Sequence, residues 1–520
     1  MKTTAQRRRS SVPALAISVL LAACAAAFDE PLAHAGGNDP WPPAWQDAPA
    51  PTEFMPPAFD PPSASDCHRP PTTREVPGGG FEPQGLARHK GALADARGDA
   101  SGVAAERSAK PVLSLVEGSA APATDAAPMP SAPWAQPQPA PQRPLRETVT
   151  AGMVDDNADF GEYLAYRQRH AGMPVRERDI SERYLLEVTD ASGHPVHDAE
   201  VAVQRAGVAQ AVMWARTDTA GRVWLHPRAF LSPSWAGERV LGVAVRKGAM
   251  QSRALLRRGQ AQAVQVRLAD DAAGARPRLD LVFLVDATGS MGDEIAKLKA
   301  SMHAVAQQIS QLPGQPDTCY GLVAYRDRGD AFLTRSHDFT DDLGAFRQQL
   351  ARVHAAGGGD TPEALNEALH EVVHGLSWRR DAARLVVLVA DAPPHLDYGG
   401  CMSAPEAFGF GPPRGQRADG LGRPGACPQY DTDMQAALAK GIKLFAVGAS
   451  GLDPVGEYIY RQMAQYTAGR FVFLTYRDAA DPGSGPGTQT LHDVKQYSVQ
   501  TLDRLIVRLV GEEMARLRRG

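Results

Sequence analysis

Charge imbalance is missing from this chain, and its absence removes the first class of partner to consider. Across 520 residues, 55 Lys and Arg face 59 Asp and Glu, a formal charge of −4. That near-balance supplies no global attraction for nucleic acid or for an anionic membrane surface. Local basic pairs such as Arg379-Arg380 read as charged surface turns. Cysteine is sparse, with five in all. Several catalytic signatures are also wanting. Gly357-Gly-Gly-Asp-Thr361 is rich in glycine but lacks the Lys-Ser/Thr ending with which a P-loop holds phosphate. No Gly-x-Ser-x-Gly elbow stands at a strand-to-helix junction, and Ser290 has carboxylates rather than a histidine base nearby, which argues against an activated nucleophile.

The N-terminus carries a targeting pattern. Lys2 and Arg7-Arg8-Arg9 precede the apolar segment Val12 to Ala23, too short for an ordinary transmembrane span. It ends in Leu21-Ala22-Ala23-Cys24, which resembles the lipobox of bacterial lipoproteins. The resemblance implies cleavage after residue 23, lipidation of Cys24 and, with Ala25 following, sorting to the outer membrane, facing the periplasm or the cell surface. Membrane contact is then expected through the lipid anchor alone. A plain secretory peptide cleaved near Ala25-Ala26-Ala27 is the simpler alternative. Export permits disulfides. Cys401 and Cys427 bracket one Gly/Pro-rich segment and are the expected pair, Cys319 is expected to be buried, and Cys67 has no evident partner. The four cysteines allow three pairings, so the connectivity stays open.

Residues 24–147 are dominated by Pro, Ala, Gly and Asp, with little apolar period. Such a stretch buries too little surface to offset chain ordering and reads as a disordered stalk. Residues 148–183 read as a linker with a possible docking helix around Phe160 to Tyr166. From Tyr184 short strands alternate with Asp/Gly turns, indicating a β-sandwich over 184–270. Its repeated plan resembles the immunoglobulin- and transthyretin-like domains, which implies a spacer or binding module. Residues 275–476 alternate strands and helices, with strands at Leu279 to Val285, Tyr320 to Tyr325, Arg384 to Ala390, Ile442 to Val447 and Arg470 to Leu474. This is the pattern of an α/β domain with a doubly wound, mostly parallel sheet. Pro362 suits the first turn of a helix running to Leu376. Residues 477–520 read as a linker followed by a C-terminal amphipathic helix.

In such a sheet, ligands gather where strands end. Asp286-Ala-Thr288-Gly-Ser290 follows the first strand, Asp391 ends a later one, and Thr361 follows the glycine-rich loop. Three loops thus offer two carboxylates and three hydroxyls at one edge. These are hard oxygen donors in a small set, suited to Mg²⁺, with Mn²⁺ or Ca²⁺ as substitutes. Zn²⁺ fits less well because no imidazole or thiolate joins them. Together the three motifs resemble the von Willebrand factor A domain and its metal-ion-dependent adhesion site. Asp286, Thr288, Ser290, Thr361 and Asp391 fall on that pattern, with Thr288 replacing a more usual serine. The resemblance implies a Mg²⁺-dependent adhesion or envelope-scaffold protein, its metal shell completed by an acidic residue of a protein partner. Asp327 and Asp360 read either as groups that orient the donors and waters or as ordinary loop polarity, and the resemblance implies no catalytic activity. An envelope component with an incidental metal is the alternative. The long loop at 396–430 is extra to a minimal domain of this kind.

A competing signal is His370-Glu371-Val372-Val373-His374, the His-Glu-x-x-His pattern of zinc proteases. The usual third ligand is missing from the following sequence, with Ser377 and Arg380 where a longer signature would continue. Leu365, Leu369, Val372 and Leu376 form an apolar stripe that places both histidines toward solvent. Hydrolysis is therefore the weaker reading.

Overall fold

The computed structural model describes residues 67, 72–80, 148–208, 210–231, 235, 237–269, 276–396 and 427–517. Residues 1–66, where the leader and its Cys24 are expected, lie outside it.

The chain enters through β1 (Thr73–Pro77), β2 (Thr150–Val154) and helix α1 (Phe160–Arg169). Two small sheets follow. One has the order β6-β3-β9, from β3 (Tyr184–Thr189), β6 (Arg222–Leu225) and β9 (Val264–Arg267). The other has the order β5-β4-β7-β8, from β4 (Glu200–Gln204), β5 (Ala211–Arg216), β7 (Val240–Lys247) and β8 (Met250–Arg257).

The larger part is a mixed sheet with helices on both faces. Its strands are β10 (Arg278–Asp286), β11 (Asp317–Tyr325), β12 (Phe332–Thr340), β13 (Ala382–Ala390), β14 (Ile442–Gly448) and β15 (Arg470–Asp478), with β16 (Asp481–Pro486) and β17 (Gln500–Thr501) beyond. The order β1-β12-β11-β10-β13-β14-β15-β2-β17 is parallel from β11 to β15 and antiparallel toward both edges. The interleaved helices are α2 (Ile295–Ile309), α3 (Leu343–Ala351), α4 (Leu365–His370), α5 (Tyr430–Ala439), α6 (Pro454–Tyr466) and α7 (Leu502–Leu517).

The apolar runs explain the two layers. Along β10, Leu279, Leu281, Phe283 and Val285 enter one core with α2 and α7, while Val282 and Leu284 enter the other with α4, α5 and α6. Every residue of β13 and β14 is buried, as expected for central strands covered on both faces. Among the described residues, no helix is long and apolar enough to cross a membrane.

Several boundaries differ from those read in sequence. Thr73–Pro77, inside the stretch expected to lack structure, is an edge strand paired antiparallel with β12. It is held by a Cys67–Cys319 disulfide whose Cα atoms are 5.9 Å apart. Cys67 therefore has a partner, and Cys319 is buried but bonded. Cys427 is also disulfide-bonded, while Cys401 lies outside the described residues. The linker at 148–183 contributes β2 to the sheet, and α1 docks through the buried rings of Tyr163 and Tyr166. Near it, Arg461 clamps Asp156 at 3.0 and 2.6 Å. The segment after residue 476 contributes β16 and β17 before α7.

The helix expected to open at Pro362 starts instead at Leu365. The Thr361–Pro362 bond is cis. Glu363 donates its N–H to the Pro393 carbonyl and Ala364 to that of Arg326, so these residues are tied to neighbouring loops before the helix begins. After His370 the chain passes into a π-helical turn, Glu371–Gly375.

Candidate metal centre

β10 and β13 are neighbours in parallel register, with Val285 opposite Val389. This brings the loops carrying Asp286 and Asp391 to one sheet edge. Both the backbone N–H and the hydroxyl of Thr288 donate to Asp286 Oδ1, at 2.9 and 2.7 Å. The Thr288 hydroxyl lies 3.1 Å from Ser290 Oγ. Asp286 and Thr288 are fully buried, Ser290 is exposed, and Asp391 is 8% exposed.

One oxygen of each aspartate is left over. Asp286 Oδ2 and Asp391 Oδ1 are buried without a hydrogen-bond partner. Burial, followed by the Asp391 charge, pushes the Asp286 carboxyl up to about 7. Burial also raises Asp391, against the opposing influence of the Ser290 hydroxyl. Among the described residues, neither acid has an ion pair to Arg, Lys or His. A divalent ion is the group such a donor set fits, since hard oxygens on two loops face the same place.

The glycine loop is packed against this set. The Gly289 N–H donates to the Gly357 carbonyl at 3.0 Å. Gly357 has φ +75, and a Cβ there would lie 2.2 Å from Asp330 Oδ1, so glycine is required twice over. The Asp330 carboxylate accepts from Gly358 N at 2.9 Å and Asp327 N at 3.1 Å, fixing the loop. Thr361 is exposed, and no described hydrogen bond joins it to Asp286, Thr288, Ser290 or Asp391. Its loop reaches the site through Glu363 instead. That side chain is 2% exposed, with Oε2 unpartnered. Burial, with Asp286, Asp327, Asp330 and Asp391 adding repulsion, pushes its carboxyl up to about 9. Sequence reasoning missed Glu363; its place two residues after Thr361 was the available clue. Asp327 is held by His395 at 2.7 Å, and Asp360 is exposed.

The histidine motif is arranged differently from the expectation. His370 and His374 are part-exposed, at 27% and 33%, but both meet the carboxylate of Asp433 on α5, which is only 3% exposed. A third ligand-type group is therefore present, 59 residues beyond His374. Burial would raise the Asp433 carboxyl, yet the two imidazoles hold it below its ordinary value. Glu371 is 1% exposed and engaged by Arg74 of β1, whose Nε donates to Oε1 at 3.1 Å. It is thus not arranged to activate water as a protease glutamate would. A second cluster, Cys67, Asp317 and Cys319, contains the disulfide and offers no thiolate.

Comparison with known proteins bears on the domain type. A family model, "von Willebrand factor type A domain", matches residues 280–480. Von Willebrand factor A domain-containing protein 7 of Homo sapiens is 39% identical over 93 residues, covering 18% of this chain and 10% of that protein. The alpha-protein kinase vwkA of Dictyostelium discoideum is 28% identical over 159 residues, covering 30% of this chain and 25% of the kinase. The chain thus spans a quarter or less of these relatives. The pilus adhesin SpaC of Lactobacillus rhamnosus GG, in its open conformation, aligns at 14% identity and a TM-score of 0.26, over 44% of this chain and 29% of the adhesin. At that score it carries no argument. What the family match and the sheet establish is a von Willebrand factor A-like domain. Such domains are generally non-catalytic interaction modules.

Proposed function

We propose that the chain is an envelope lipoprotein that binds a protein partner through Mg²⁺ at the ends of β10 and β13. The observation that carries this reading is the pair of buried, unpartnered oxygens, Asp286 Oδ2 and Asp391 Oδ1. Asp286, Thr288, Ser290 and Asp391 would hold the ion, with Thr361 on the adjoining loop and Glu363 adding negative charge. When bound, Mg²⁺ supplies a Lewis-acidic position that an acidic residue of the partner completes. The chain's own residues do the positioning. Thr288 fixes one oxygen of Asp286, and the Gly289–Gly357 contact holds the two loops together. Mn²⁺ or Ca²⁺ would be substitutes on the same donors. Cys24 would provide the membrane anchor, at the outer membrane.

The test is Mg²⁺ titration calorimetry together with co-purification from envelope extracts, in Mg²⁺ and in EDTA. Asp286→Ala is expected to abolish Mg²⁺ binding and partner recovery with little change in circular dichroism; Thr361→Ala should act in the same direction but less. Partner recovery unchanged in EDTA and in both variants would favour a scaffold with incidental metal and sink the adhesion mechanism. Loss of the membrane fraction in Cys24→Ser tests the anchor.

A further inference from the structure

A further cluster of metal-ligand side chains, sharing no residue with the strand-end set, lies between the α4 turn and α5. The π-helical turn after α4 sets His374 beside His370, with ring centroids 4.4 Å apart. Such turns are rare and frequently mark functional positions. Facing them, Asp433 stands in the first turn of α5. Its Oδ1 is 3.1 Å from His370 Nδ1 and 3.1 Å from His374 Nε2. The three ligand atoms all fall within 4.8 Å of one another.

We propose that His370, His374 and Asp433 bind a Zn²⁺-class transition-metal ion. Zinc bonds of ~2.0–2.2 Å in a tetrahedron put neighbouring ligand atoms ~3.3–3.6 Å apart. The two imidazole–carboxylate separations are already close to that spacing, so ion entry needs only small side-chain shifts. Two imidazoles and one carboxylate favour Zn²⁺, Ni²⁺ or Cu²⁺ over Mg²⁺, which sets this site apart from the oxygen-only set at Asp286. The buried Asp433 charge matches a cation, and the partial exposure of both rings leaves an entry path and room for a water ligand. Because Arg74 engages Glu371, the site holds metal without the water-activating base that hydrolysis requires. Its consequence is mechanical. It joins the turn that follows α4 to the first turn of α5. This inference is independent of Mg²⁺ binding at the strand ends.

The experiment uses the untagged full chain, stripped with EDTA and dialysed against ZnCl₂, with metal counted by mass spectrometry and affinity measured by chelator competition. One equivalent of zinc is expected at this site. The double variant His370→Ala/His374→Ala and the single variant Asp433→Asn should each weaken its binding by more than ~10-fold, at least the loss typical of removing an outer-shell partner. Asp286→Ala should leave it unchanged. Co²⁺ added to the unmutated chain should give the strong visible bands of a tetrahedral site, a readout that does not depend on the variants folding. Absence of zinc uptake and of those bands, or zinc affinity unchanged in folded variants, would overturn the assignment.

Discussion

Asp198 offers a sharp test of how the buried charges support the fold. It sits in the turn that leads into β4, 3% exposed, and faces two guanidinium groups. Arg384 on β13 donates Nη1 to Oδ1 at 2.8 Å and Nη2 to Oδ2 at 3.1 Å; Arg216 adds a bond to Oδ1 at 3.0 Å. Burial favours the neutral acid, but the two arginines outweigh it and hold the carboxyl well below the usual carboxylate range. Asp198→Asn removes the charge while keeping the shape. Asparagine also tolerates the backbone here, at φ +57, where alanine would add about 1–2 kcal/mol of strain. Breaking one side of a buried pair costs about 3–5 kcal/mol. Arg216 keeps Glu200 at 2.8 Å, and Arg384 keeps the carbonyls of Arg379 and Lys440 at 3.0 and 2.9 Å. The lower end, about 3 kcal/mol, is therefore expected. The assay is urea unfolding of wild type and variant, followed by tryptophan fluorescence and circular dichroism, at stepped pH. A depressed folded-state value makes the stabilisation fully present above the unfolded value and lost as pH falls through the folded one. The difference should be flat above about pH 5 and shrink below about pH 4. A loss under about 1 kcal/mol at pH 7, the level of an exposed ion pair, would refute the reasoning.

Three further outcomes are expected. Cys319→Ser opens a crosslink spanning 252 residues, for which chain-entropy arithmetic gives an upper value of about 5.5 kcal/mol; the measurement is urea stability of variant and wild type without reductant, and equal stability of the two would contradict it. Gly469→Ala would place a Cβ 1.6 Å from the Leu444 carbonyl oxygen, so β15 must shift away from β14 at a cost of about 1–3 kcal/mol; unfolding midpoints decide this. Glu363→Gln removes a buried carboxylate facing Asp286 and Asp391, so calorimetry should find weaker Mg²⁺ binding in a chain that stays folded in EDTA, and unchanged or tighter binding would remove Glu363 from the site.

The parts legible in sequence were those written in consecutive residues. β10, β13 and β14 announce themselves as continuous apolar runs, and the strand-end rule then puts Asp286 and Asp391 together. What escaped is set by partners distant in the chain. Thr73–Pro77 carries no strong strand pattern; it pairs with β12 and lies beside a cysteine bonded 252 residues away. Glu363 reaches the site because its backbone is tied to Pro393, and Asp433 meets the histidines only once α5 packs beside α4. The non-local view also strengthens the reading of the strand ends. Elsewhere in the described residues, many buried acids have matched cations: Asp156 has Arg461, Asp280 has Arg379, Asp198 has Arg384 and Glu513 has Lys443. Asp286, Asp391 and Glu363 converge without an ion pair to Arg, Lys or His among those residues. A fold that pairs most of its other interior carboxylates with cations would be poorly served by three such groups in one place, unless a cation arrives to join them.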